Sequence, residues 1–221
     1  MKNKGGVIIP LDMLYSMEEK NSNIKTIGIL IFDDAEVLDV AGPFEVFSMT
    51  RLDENKRYET TSPFRVLLLA EKKTPVTAIG GLKLIPDFTF EDCPILDLFV
   101  IPGGWGTRRE VDNHVLIQKI SKLSTKSILT ASVCTGSSLI GRAGLLDGKK
   151  ATTHWRAYNF LRESAPKAHV QEDVIFTIDG SIFTSAGVAS GIRLSLYLLS
   201  HFFGAHVGQE TARFLEFPYT E

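Results

Sequence analysis

The sequence predicts an α/β protein: a single domain built on a mostly parallel β-sheet with helices on both faces. Three observations carry this. Short continuous apolar runs, such as residues 26–32 and 64–70, alternate with longer amphipathic segments; a strand buried on both faces produces such a run, whereas a half-solvated strand alternates. Turn-forming glycines and prolines follow the runs, as in Pro102-Gly103-Gly104. The chain's 221 residues, 44% hydrophobic and 23% charged, suit one sheet layered between helices and are too apolar for disorder.

Residues 1–23 end in a polar stretch from Glu18 to Asn23 without sustained period, so they read as a loosely attached extension preceding a domain over 24–221. Residues 26–32 form the first strand. A helix over about 38–51 places Phe44, Phe47 and Leu52 at helical spacing, with Pro43 in a first-turn position. Residues 64–70 and 97–101 are further buried strands, with a shorter pair around Gly80-Gly81. A helix over 109–123 leads to a strand over 128–133 that stops at Cys134. Residues 174–178 and 181–184, separated by Asp179-Gly180, carry a hairpin signal. Residues 187–203 predict a helix with Ile192, Leu196, Leu199 and Phe203 on one face and Gly204 as C-terminal cap, before a last short helix over 209–215. In such sheets ligands meet the carboxyl ends of the strands.

Composition excludes several functions. Twenty-four Lys and Arg against 26 Asp and Glu leave no basic excess for phosphates, so no nucleic-acid partner is expected. The richest apolar stretch, 194–203, is interrupted by Ser195, Ser200 and His201 and falls short of the roughly 20 residues a spanning helix needs, so no membrane partner is expected. No secretory signal is expected at the N-terminus, and Cys93 and Cys134 make neither a disulfide framework nor a tetrahedral metal site. The expectation is a cytoplasmic protein without metal or cofactor.

The chemistry concentrates at Ser132-Val133-Cys134-Thr135-Gly136-Ser137, where an apolar strand meets a small-residue helix start. A side chain on such an elbow stands clear of its neighbours, and a helix N-terminus favours thiolate over thiol. The alternative is a buried cysteine acting as a small hydrophobe. Gly103, Gly104 and Gly106 after a buried strand expose amides that, with the Thr135 N–H, suit developing negative charge. Asp39 reads either as a helix N-cap or as a carboxyl at the active edge. His154 is the histidine expected nearest the cleft, or else a hydrogen-bonded core residue beside Trp155; Trp105 and His154 join the glycines as candidate substrate contacts.

The ordered set Leu38-Asp39-Val40-Ala41-Gly42-Pro43, Ile101-Pro102-Gly103-Gly104, Ser132-Val133-Cys134-Thr135-Gly136, Gly144-Leu145-Leu146-Asp147-Gly148 and Ala151-Thr152-Thr153-His154-Trp155 resembles the ThiJ/PfpI superfamily over residues 26–204. That resemblance implies the flavodoxin-like, glutamine-amidotransferase-like fold and a homodimer. Within it the motifs are similar to those of isocyanide hydratases and of the sensing domains of AraC-type activators. The hydratase resemblance implies Cys134 as nucleophile, Asp39 as its acidic partner, Thr135 beside it, and Gly103 and Gly104 as anion-holding backbone. Thr135 stands where the superfamily's proteases carry His, and Asp39 where many chaperone and glyoxalase members carry Glu; both departures favour the hydratase group. Arg193 stands where relatives commonly have an acidic residue, so any charge pairing made there is expected to be absent.

The activity so implied is hydration of a small isocyanide to an N-substituted formamide. The alternatives are a small-molecule sensing domain or a glyoxalase-like or protein-repair enzyme. The chain ends at Glu221, where the DNA-binding part of such regulators would begin, which favours the enzyme. A Cys134 held by a protonated Asp39 at a helix N-terminus is expected to titrate well below a free thiol.

Overall fold

Continuous apolar runs become a parallel sheet because a strand buried on both faces can pair on both edges only where helices cover it. In the computed structural model, which describes residues 24–220, the strands are β1 (Lys25–Leu30), β2 (Phe64–Ala70), β3 (Val76–Thr77), β4 (Lys83–Leu84), β5 (Phe88–Thr89), β6 (Leu98–Ile101), β7 (Leu129–Val133), β8 (Lys150–Ala151), β9 (His169–Val170), β10 (Phe176–Asp179) and β11 (Ile182–Ser185). The extension read into residues 1–23 lies outside the described residues. The main sheet runs β10-β11-β7-β6-β1-β2-β5, parallel throughout except for the β10–β11 hairpin. Every residue of β6 and β7 is buried.

The helices are α1 (Val37–Met49), α2 (Thr107–Glu110), α3 (His114–Ser124), α4 (Gly136–Arg142), α5 (Tyr158–Ser164), α6 (Ser190–Phe203) and α7 (Ala205–Phe214). They pack in two groups, α1 with α6 and α7, and α4 with α2, α3 and α5, covering the sheet's two faces. Phe47 and Phe64 meet edge to face at 5.0 Å between α1 and β2, with Phe203 of α6 5.4 Å from Phe64. The α/β architecture is therefore the predicted one.

Several local expectations change. Pro43 lies in the second turn of α1, not the first, and its ring removes the amide that would have bonded the Asp39 carbonyl. The helix expected over 109–123 divides into α2 and α3, because the Asn113 side chain accepts the Leu116 amide at 3.2 Å and starts a new helix. The hairpin turn is Gly180-Ser181, one residue later than predicted: Asp179 pairs with Ile182, and Gly180 supplies the positive φ of 63°. Gly204 caps α6 with φ 91°, and α7 begins immediately after it. Among the described residues no helix is long and apolar enough to cross a membrane.

Candidate active site

β7 ends at Val133 and α4 begins at Gly136, so Cys134 must turn the chain sharply, and it does so at φ 56°. That conformation costs a non-glycine residue on the order of 1–3 kcal/mol and persists only when neighbours hold it. They do. The Cys134 amide donates to the Ser185 and Ala186 carbonyls at 3.2 and 3.1 Å. Its carbonyl accepts the hydroxyls of Thr153 at 2.9 Å and Ser137 at 3.1 Å.

Asp39 is wholly buried in the first turn of α1, whose N-cap is Glu36; it does not cap the helix. Its Oδ2 accepts the Gly103 amide at 2.9 Å. Oδ1 is buried without a hydrogen bond of normal length and angle, although the Cys134 thiol and the Val188 amide lie near enough to favour its charged form. Burial, with Glu36 adding to it against the Gly103 bond, pushes the Asp39 carboxyl up to about 7.

Cys134 is 7% exposed. Burial, then the Asp39 charge, pushes its thiol up to about 12, while the Thr135 and Val188 amides pull the other way. This overturns the expectation of a depressed pKa. α4 is seven residues long, and a helix terminus contributes about 0.3–1 kcal/mol, up to ~2 in the best geometry, whereas burial moves a pKa by up to several units. The resting pair is a neutral thiol beside a carboxyl that titrates near neutrality.

The glycine turn does not serve as predicted. The Gly103 amide is committed to Asp39, and the Gly104 amide to Thr135 Oγ1 at 3.0 Å. Neither is free for an anion. Gly103 is required by close approach: a Cβ there would meet the Thr135 nitrogen at 2.5 Å and the Cys134 Cβ at 2.8 Å. Thr135 Oγ1 also lies 2.9 Å from Thr107 Oγ1 and donates to the Gly104 carbonyl at 3.2 Å, so its side chain locks elbow to turn while its amide serves the sulfur.

Two residues near this pair escaped the sequence reading. Val188, β-branched yet at φ 49°, brings its amide against both Asp39 and Cys134. Its signal was the small-residue run Gly187-Val188-Ala189-Ser190 between a strand and a helix, the pattern that marks the cysteine elbow. Glu36, just ahead of α1, adds negative charge beside both Asp39 and His154. His154 buttresses Val188 indirectly: a Cβ on Gly187 would meet its Cδ2 at 2.1 Å. The imidazole accepts the Arg156 amide at Nδ1, stacks on Trp155, and is held below its ordinary pKa by burial. Trp105 turns outward, 72% exposed. Cys93, half-buried, points its sulfur at the Pro94 carbonyl at 3.2 Å. Among the described residues no group of three or more His, Cys, Asp or Glu side chains gathers to hold a metal.

Residues 25–201 match the DJ-1/PfpI family, and the chain belongs to that family. It is 35% identical over 191 residues to an isonitrile hydratase of Pseudomonas putida, spanning 86% of this chain and 78% of that one. It is 28% identical over 181 residues to the HTH-type transcriptional regulator GbdR of Pseudomonas aeruginosa, spanning 81% of this chain and 47%, about half, of the regulator. Among solved structures, a THiJ/PfpI family protein from Pseudomonas syringae matches with TM-score 0.77 at 24% identity over 100% of this chain and 83% of that one. An AraC family transcriptional regulator from Pseudomonas putida matches with TM-score 0.69 at 18% identity over 86% and 99%. Both share the fold.

Proposed function

We propose that this member of the DJ-1/PfpI family hydrates a small isocyanide to an N-substituted formamide, with Cys134 as nucleophile and Asp39 as proton carrier. One observation carries the reading: the buried Asp39 carboxyl, pushed up to about 7, lies against a thiol held neutral by burial. A base poised near neutrality next to an uncharged nucleophile is the arrangement that general-base activation needs. The 35% identity to an isonitrile hydratase supports the substrate class.

The steps balance as follows. The Cys134 sulfur forms a bond to the terminal isocyanide carbon as the thiol proton passes to Asp39. Asp39 returns that proton to the same carbon, leaving a thioimidate. Water then adds to the carbon, with Asp39 taking its proton and delivering it to nitrogen. Finally the C–S bond breaks, the hydroxyl proton travels through Asp39 to sulfur, and the formamide leaves. One water is consumed. Thr135 and Val188 stabilise the sulfur whenever it carries charge, as at departure, through their amides.

Incubation of the purified protein with cyclohexyl isocyanide, with methylglyoxal in parallel, tests this. Formamide produced at a rate abolished in Cys134→Ala is the expected result. Turnover of methylglyoxal alone favours the glyoxalase-type reading. Turnover of neither favours a ligand-sensing domain, a reading supported by the likeness to the regulator over 81% of this chain.

A further inference from the structure

A cavity of about 430 Å³ opens between α6, the β10 strand and the C-terminal tail, and none of the groups around Cys134 lines it. Its volume falls within the range of small-molecule sites. Phe176, Tyr197 and Tyr219 supply aromatic walls, with the Phe176 and Tyr197 rings 5.1 Å apart and His201 stacked parallel to Tyr197 at 6.2 Å. One charged side chain, Arg193, reaches the same space. Arg193 donates one N–H to the Pro218 carbonyl at 3.2 Å and lies 6.0 Å from the Phe217 ring centroid. Ser200 and His201 complete the lining, with Ser200 Oγ and His201 Nε2 themselves buried away from the open space.

A guanidinium presents several N–H donors, and one bond to a backbone carbonyl leaves most of them for a ligand; carboxylates take them in pairs. We infer that this cavity is a second ligand site, selective for a small aromatic carboxylate whose acid group meets Arg193 and whose ring lies among Phe176, Tyr197 and Tyr219. This site is independent of the chemistry proposed at Cys134.

The test uses the full chain, with phenylacetate as probe and neutral phenylacetamide as its near-isostere, read by calorimetry and thermal shift. Phenylacetate is expected to bind saturably and to raise Tm, with phenylacetamide roughly tenfold weaker or more, the worth of a charge-assisted hydrogen bond. Arg193→Gln should remove the difference between acid and amide, Arg193→Lys should restore part of it, and Cys134→Ala should bind as the wild type does. Equal affinity for acid and amide in the wild type, acid binding undiminished in Arg193→Gln, or binding lost in Cys134→Ala would each overturn the assignment. The wild-type comparison of acid with amide stands even if an Arg193 variant fails to fold.

Discussion

The backbone amide of Gly103 donates to Asp39 Oδ2 at 2.9 Å across 64 positions of sequence. This bond holds the carboxyl at the glycine turn, where the Cys134 thiol and the Val188 amide also act on it. A turn expected to hold a reaction anion instead aims a side chain.

Asp39→Asn is expected to stabilise the fold while abolishing turnover. The carboxyl moves from 3.8 to about 7 on burial, so the folded protein prefers it protonated. Stability from this group is complete below the unfolded value and is lost as pH rises through the folded one; at pH 8 the charged form costs about 4 kcal/mol at most. Thermal unfolding should therefore show a higher Tm for the variant at pH 8, and the advantage should shrink as pH falls toward 4. A variant less stable than wild type at pH 8 would contradict the buried charge.

The activity against isocyanide should rise with pH. With a neutral thiol, the reacting form needs Asp39 ionised, so kcat/KM should fall about tenfold per unit below an apparent pKa near 7. A profile flat from pH 5 to 9 would remove Asp39 as the base.

Gly187→Ala should destabilise the Gly187-Val188 turn that precedes α6. A Cβ there would sit 2.1 Å from His154 Cδ2, and the ring, stacked on Trp155, must move. A loss of about 1–3 kcal/mol follows from such overpacking, and it should diminish in a His154→Ala background, where the clash is absent. A double-mutant cycle in denaturant measures the coupling.

Cys93→Ser should leave turnover per folded molecule unchanged. Among the described residues the half-buried sulfur bonds the neighbouring Pro94 carbonyl, and burial pushes its pKa up to about 11. A specific loss of activity at wild-type stability would implicate a second cysteine.

Much of the fold was legible because strand burial is written locally. The runs that became β2, β6 and β7 were readable as strands within one or two residues, and the junction at Cys134 stood out because an apolar strand met a small-residue helix start. The α2–α3 break was less legible: the buried face of Leu116, Ile117, Ile120 and Leu123 keeps helical spacing only beyond Asn113, and the polar residues before it carry no pattern that separates a cap from a helix interior.

From sequence alone came the residue types and their order along the strands, which determine that a cysteine stands at an elbow of a parallel sheet. Only the tertiary structure decided what surrounds it: that the Gly103 and Gly104 amides face Asp39 and Thr135, that Val188 approaches both the thiol and the carboxyl, and that both groups titrate above their ordinary values. The physical reason is that periodicity is a property of neighbours in sequence, whereas desolvation sums over every group packed around an atom. At Cys134 that burial is joined by the Asp39 charge and opposed by Thr135 and Val188, groups from separate stretches of chain, and no local pattern encodes their meeting.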